Sequence, residues 1–337
     1  MKTSTFVTVA AAGLASLLMA APAAHAADRC EAADLDNISG KVVLPENCSY
    51  RRQIMITTSH TTLDCRNSTF IGTGREKIGL IIDSKGKPLS DITVKNCNFT
   101  KFDSSGVRVT WSEADIRKGD DHARIYERTP TGIVLDNINV KDSGRVGIYI
   151  DDYVTDTTIR NSNITGSGGV GIYLEHSSQR IKLLNNKIVG NGFLKGGKSQ
   201  REGVAVDSSA NNLIQGNLFK GNGAGGIFLY KNCGEHISTG KQVLRWQHSD
   251  HNLIKNNVFI DETVGVWLAS RQGRDLTNWD CGDPPMNSRG QYADYANDNQ
   301  LKDNIFCRTA SAVTDNGKSN QVSGSTYSCP AKDSAPK

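Results

Sequence analysis

Two hydrophobic–polar patterns alternate along most of the chain. In the first, a glycine opens a short run of alternating positions: Gly79-Leu-Ile-Ile82, Gly106-Val-Arg-Val109, Gly147-Ile-Tyr-Ile150, Gly171-Ile-Tyr-Leu174, Gly203-Val-Ala-Val206, Gly226-Ile-Phe-Leu229 and Gly265-Val-Trp-Leu268. In the second, apolar residues bracket asparagines, as in Ile133-Val-Leu-Asp-Asn-Ile-Asn-Val140 and Ile181-Lys-Leu-Leu-Asn-Asn-Lys-Ile188. Anchors for this second pattern fall at Val94, Leu135, Ile159, Leu183, Ile214, Ile254, Leu301 and Val322, so a unit of 21 to 24 residues recurs with insertions. Period-two runs this short predict strands, and the Gly, Asn and Ser between them predict turns. The intervals leave no room for the crossover helix of a βαβ unit. A solenoid resolves this: each repeat is one coil, and like strands of successive coils stack in parallel about 4.8 Å apart.

An all-β, single-domain chain of this design resembles the right-handed parallel β-helix superfamily of carbohydrate-active proteins across residues 58–330. Residues 27–57 lack the repeat and are expected to form an N-terminal cap over an otherwise open edge, with 331–337 as a disordered tail. The glycine strings at 166–171 and 221–226 precede strands, where a dinucleotide fingerprint requires a helix, and are turns.

Composition narrows the function. The formal net charge of the 337 residues is only +4, which argues against nucleic acid or a membrane surface as partner. Residues 1–26 have the charged start, short apolar core and Ala24-His-Ala26 end of a secretory signal, so the expected protein is exported, to the periplasm or medium, and monomeric. Its eight cysteines allow four disulfides; the expected pairs include Cys30–Cys48, Cys307–Cys329 and Cys233–Cys281.

On the glycine-led strands, alternation turns the second and fourth residues after Gly outward. The second position reads Ile81, Arg108, Tyr149, Tyr173, Ala205, Phe228 and Trp267, an aromatic strip on which sugar rings can stack. The fourth reads Asp83, Thr110, Asp151, Glu175, Asp207, Tyr230 and Ala269, with Asp152, His176, Lys231 and Arg271 just beyond. Three carboxylates on consecutive coils repel one another unless they bind a cation, recruit a basic side chain or share a proton. Long insertions after the same strands carry Arg245, Trp246, His248, Arg274, Trp279 and Asp283, and solenoid insertions gather on the binding face.

The chemistry that fits is β-elimination from an acidic polysaccharide. It needs a neutralised uronate carboxyl, a base for the adjacent C–H and a proton for the leaving oxygen. Asp151, Asp152, Glu175 and Asp207 are expected calcium ligands. Lys231 is the expected base, with Tyr230 and His176 as alternates, and Arg271 a partner for the uronate or leaving group. Tyr149, Tyr173, Phe228, Trp267, Arg245 and Arg274 are expected to hold substrate. Acids on earlier coils, then lysine, then arginine is an order similar to that of β-helical lyases of the alginate lyase and chondroitinase B type. A glycoside hydrolase with paired carboxylates, a uronan C5-epimerase and a non-catalytic glycan-binding β-helix are the alternatives.

Overall fold

A computed structural model describes Met1, Cys30 and residues 35–36, 38–112, 121–193, 200–232, 245–275 and 281–329. The expected signal peptide beyond Met1, the tail at 331–337, Cys233 and Trp279 lie outside the described residues. The chain divides into two units, Met1–Ala32 and Ala33–Lys337, and every strand of the described residues belongs to the second.

These strands wind into a right-handed parallel β-helix. All eight predicted anchors fall in one row, each paired in parallel with the next: Val94 with Leu135, then Ile159, Leu183, Ile214, Ile254, Leu301 and Val322. The seven glycine-led runs, with Ile54–Ile56 and Ser311–Asp315 at the two ends, form a separate nine-stranded parallel sheet: Ile54–Ile56, Ile78–Asp83, Ser105–Thr110, Val146–Ile150, Ile172–Leu174, Glu202–Asp207, Gly225–Tyr230, Val264–Leu268 and Ser311–Asp315. A first coil is built from Lys41–Val43, Ser49–Tyr50 and Ile54–Ile56, inside the segment expected as a cap; each of its strands pairs with the coil above. The two-residue strand and the polar turns around it hide this coil from a pattern search.

Local chemistry explains the repeat. The leading glycines are required by close approach between coils: a Cβ on Gly147 would lie 2.4 Å from the carbonyl oxygen of Gly171, and one on Gly171 would lie 2.6 Å from that of Gly203. Asn96, Asn137, Asn161, Asn185 and Asn256 turn the corner between rows with φ of 52–57°, a left-handed conformation that asparagine tolerates. The neighbouring inward asparagines form ladders. Asn217 Oδ1 accepts from the backbone N–H of Asn186 at 2.8 Å, while its own amide donates to Leu183 O at 2.9 Å and Asn257 Oδ1 at 3.0 Å. Phe219, Phe259 and Phe306 stack inside the coil with ring centroids 4.8 and 4.9 Å apart. Disulfides Cys65–Cys97 and Cys307–Cys329 tie neighbouring coils. Cys48 and Cys281 are also disulfide-bonded.

Candidate functional site

The outward residues of the nine-stranded sheet share one register: Ile81, Arg108, Tyr149, Tyr173, Ala205, Phe228 and Trp267 are successive parallel partners. A cleft of about 290 Å³ opens over the middle of this row. Arg108, Tyr149 and Tyr173 line it from the strands, and Arg145, Val170 and Arg201 line it from the turns where the strands start.

Register changes how the aromatics are presented. Tyr149 and Tyr173 stack face to face, 5.2 Å apart and 6° from parallel, with the Arg108 guanidinium 5.1 Å above the Tyr149 ring. The faces expected to carry sugar are thus occupied by one another, and edges and hydroxyls are what these residues offer the cleft. Phe228 and Trp267 meet edge to face at 5.3 Å and pack with Val170, Ala205 and Tyr230 as an apolar wall.

The carboxylate row is buried and internally compensated. Asp151 accepts from Arg108 Nε at 2.7 Å, from Arg108 Nη2 and from Thr110 Oγ1 at 2.8 Å. Burial, reinforced by the charge of Asp152, pushes Asp151 up to about 6. Burial acts to raise Asp152 as well, but His176, 3.3 Å away, together with Arg245 brings it below the usual carboxylate range. Arg245, expected to hold substrate, is 1% exposed and bridges two coils: Nη2 donates to Glu175 at 2.6 Å, and Nη1 lies 3.2 Å from Asp207. Asp207 also accepts from Tyr173 Oη at 2.7 Å, the Asn232 backbone N–H at 2.9 Å and Ser208 Oγ at 3.1 Å.

Of the four expected calcium ligands, Asp151, Asp152 and Glu175 bring carboxylate oxygens within 4.8 Å of one another, and Asp207 stands outside the group. Calcium takes about six to eight oxygen ligands. Here Arg108 and Arg245 already hold Asp151 and Glu175, and His176 faces Asp152, so the set fits a calcium ion poorly.

Lys231 and Arg271 sit on the exits of the next two strands. Lys231 is 1% exposed, its ammonium on Asp283; burial lowers its affinity for a proton while Asp283 opposes that. One carboxylate, Asp294, accepts the backbone N–H groups of both Lys231 and Arg271 at 2.9 Å, and burial pushes it up to about 7. The Arg271 guanidinium lies 3.9 Å over the Tyr230 ring. Tyr230 Oη donates to Glu202 at 3.0 Å and accepts from Arg201 at 3.1 Å. Burial raises the Tyr230 phenol well above its ordinary value, with Glu202 adding to the rise. His248, between Asp250 and Asp283, is raised to about 9 against the opposing effect of its burial. Arg274 is exposed, and neither it nor Lys231 lines the cleft.

Arg145 and Arg201 did not emerge from the outward rows because they precede the strands. A signal for them existed: each stands two residues before a leading glycine, in Arg145-Val-Gly147 and Arg201-Glu-Gly203.

The chain belongs to the right handed beta helix region family, whose model matches residues 52–244. A second family model, described as periplasmic copper-binding protein (NosD), matches residues 194–331. Comparison with curated proteins finds no match. Among solved structures, an alginate lyase from Paenibacillus sp. str. FPU-7 is similar at 13% identity and TM-score 0.56, covering 89% of this chain and 91% of its own. An endo-xylogalacturonan hydrolase from Aspergillus tubingensis is similar at 11% identity and TM-score 0.51, covering 86% of each chain. A lacto-N-biosidase from Eubacterium ramulus is similar at 12% identity and TM-score 0.52, over 85% of this chain and 44% of its own. At these identities the likeness is one of fold.

Proposed function

We propose that the protein is an exported enzyme that cleaves an acidic, uronate-containing polysaccharide by β-elimination in the cleft over Tyr149 and Tyr173. The observation that carries this reading is the lining: Arg108 and Arg201, each already held on a carboxylate of this chain, Asp151 and Glu202, stand with the exposed Arg145 around two tyrosines, beside a part-buried Tyr173–Asp207 hydrogen bond. Guanidinium groups pair with carboxylates through two parallel hydrogen bonds, and Arg145, which no carboxylate of the described residues holds, is the one of the three placed to pair an anionic sugar in that way. Neutralising the uronate acidifies the C–H beside it. Tyr173 is the group in the cleft suited to that proton: as its oxygen accepts the proton, its own passes to Asp207. The same phenol then gives a proton to the departing glycosidic oxygen as the carbon–carbon double bond forms, and Asp207 hands its proton back to Tyr173, restoring both groups. Lys231 recedes from the base role because it is buried on Asp283, and no step here uses a metal. The disulfides support an oxidising compartment, in keeping with export.

Asp151 and Asp152 carry a second reading. Their carboxylate oxygens lie within 4.8 Å of one another and of Glu175, close to the separation of the carboxyl pair in a retaining hydrolase. One assay divides the two. Incubation with alginate, polygalacturonate and glycosaminoglycan uronans is expected to produce the ultraviolet absorbance of an unsaturated uronate. New reducing ends without that absorbance would sink elimination and favour hydrolysis.

A further inference from the structure

We propose a second carbohydrate subsite, resting on the assignment of the arginine cleft to a uronate polymer, at Trp246, on the strand-exit side of the acidic row from that cleft. Trp246 is 46% exposed, the one tryptophan among the large hydrophobic side chains left open to solvent in the described residues. One side of its indole is covered by the imidazole of His122, 4.7 Å away and 30° from parallel. His122 is fixed in turn: its ring stacks on Tyr153 at 5.9 Å, and its Nδ1 lies 2.8 Å from Tyr153 Oη. Tyr153 is fully buried between Trp111, Tyr126 and His176, which faces Asp152. The indole is therefore backed by a rigid aromatic column that leads down to the acidic row.

The residues on either side of Trp246 are anchored. Arg245 is anchored on Glu175 and Asp207, and the Gln247 amide donates to Ser178 O at 2.8 Å and Ser208 O at 2.9 Å. An exposed, flat, apolar face backed by His122 between two anchored residues is a surface suited to the C–H face of a pyranose ring. It also supplies the ring face that Tyr149 and Tyr173 use on each other. Tyr173 lies on the strand Ile172–Leu174, whereas His176, at the foot of the column, lies in the turn beyond the end of that strand. The indole stands beyond the ring contacts that run from His176 through Tyr153 and His122, so the two binding elements are assigned to different units of one polysaccharide chain, the arginine-lined cleft taking a carboxylate at one and the indole stacking on a ring at the other.

The test is calorimetric binding of uronate oligomers, a dimer and a hexamer, to the full chain and to Trp246→Ala, Trp246→Phe and Arg201→Ala, each checked for native circular dichroism. Trp246→Ala is expected to weaken hexamer binding about tenfold and leave dimer binding unchanged, with Trp246→Phe restoring most of the loss. Arg201→Ala is expected to weaken both. Equal hexamer affinity in the parent and Trp246→Ala overturns the subsite even where Arg201→Ala behaves as expected. Should the parent bind no uronate oligomer, the assignment of the arginine cleft fails instead, and neutral xylo- and cello-hexamers replace the probe. Loss of their binding in Trp246→Ala then supports the subsite, and unchanged or absent binding overturns it.

Discussion

Glu262 stands where a ladder of asparagines would continue. It is 2% exposed, and its carboxylate accepts the backbone N–H of Asn222 at 3.3 Å and the Asn222 amide at 2.7 Å. Burial raises it to about 7, with Asn222 opposing. The folded state therefore prefers the neutral acid: the stability this group contributes is complete below its unfolded value and is lost as pH rises through about 7. Glu262→Gln, which keeps a carbonyl acceptor and cannot ionise, is expected to be more stable than the parent by about 2–3 kcal/mol at alkaline pH and to match it near pH ~4, as read from urea midpoints across pH. A pH-independent difference would reject this account. Tyr173 requires a different kind of substitution. Tyr173→Phe removes the hydroxyl that meets Asp207 and leaves the ring on Tyr149. Turnover should fall by about a hundredfold or more with binding of uronate oligomers little changed. Comparable losses in both would make Tyr173 a binding residue.

At the scale of elements, both sequence patterns were legible because each arises from contacts between equivalent positions on adjacent coils. The leading glycine recurs since any Cβ there meets the next coil's carbonyl, and the corner asparagine recurs since φ there is positive. Inward asparagines carry the corresponding energetic weight. Asn217→Ala strips the acceptor from the Asn186 N–H and the donor from Leu183 O, both buried. A loss of about 2–4 kcal/mol is expected from thermal or urea unfolding, larger than for an exposed asparagine such as Asn161. A loss below ~1 kcal/mol would mean that water replaces the ladder. The arginines in the cleft were less legible. Arg145 and Arg201 lie in turns outside the alternation, and only the winding of the coils brings them beside Arg108, Tyr149 and Tyr173.

Across the whole molecule, coils interact with their neighbours, so damage at one end should stay local. Replacing Cys307 and Cys329 by serine opens a disulfide of sequence separation 22 at the last coils, far in stacking order from the cleft. A destabilisation of about 2–4 kcal/mol with turnover retained is expected, and parallel loss of activity would show coupling along the whole stack. The sequence by itself determined the solenoid, its row registers, the inward and outward alternation, and the placing of three carboxylates on successive coils, because these follow from a repeat that meets itself. It did not determine which charges neutralise one another. Arg108 reaches Asp151 across 43 residues, Lys231 reaches Asp283 across 52, and Arg245 reaches Glu175 across 70. The first is a diagonal contact between neighbouring strands set by how far a long side chain extends, and the other two depend on where insertions of unequal length fold back over the strand ends. No repeat encodes that, so only the tertiary structure turned an expected calcium-binding row into a network closed by arginines and moved the open cleft to the strand starts.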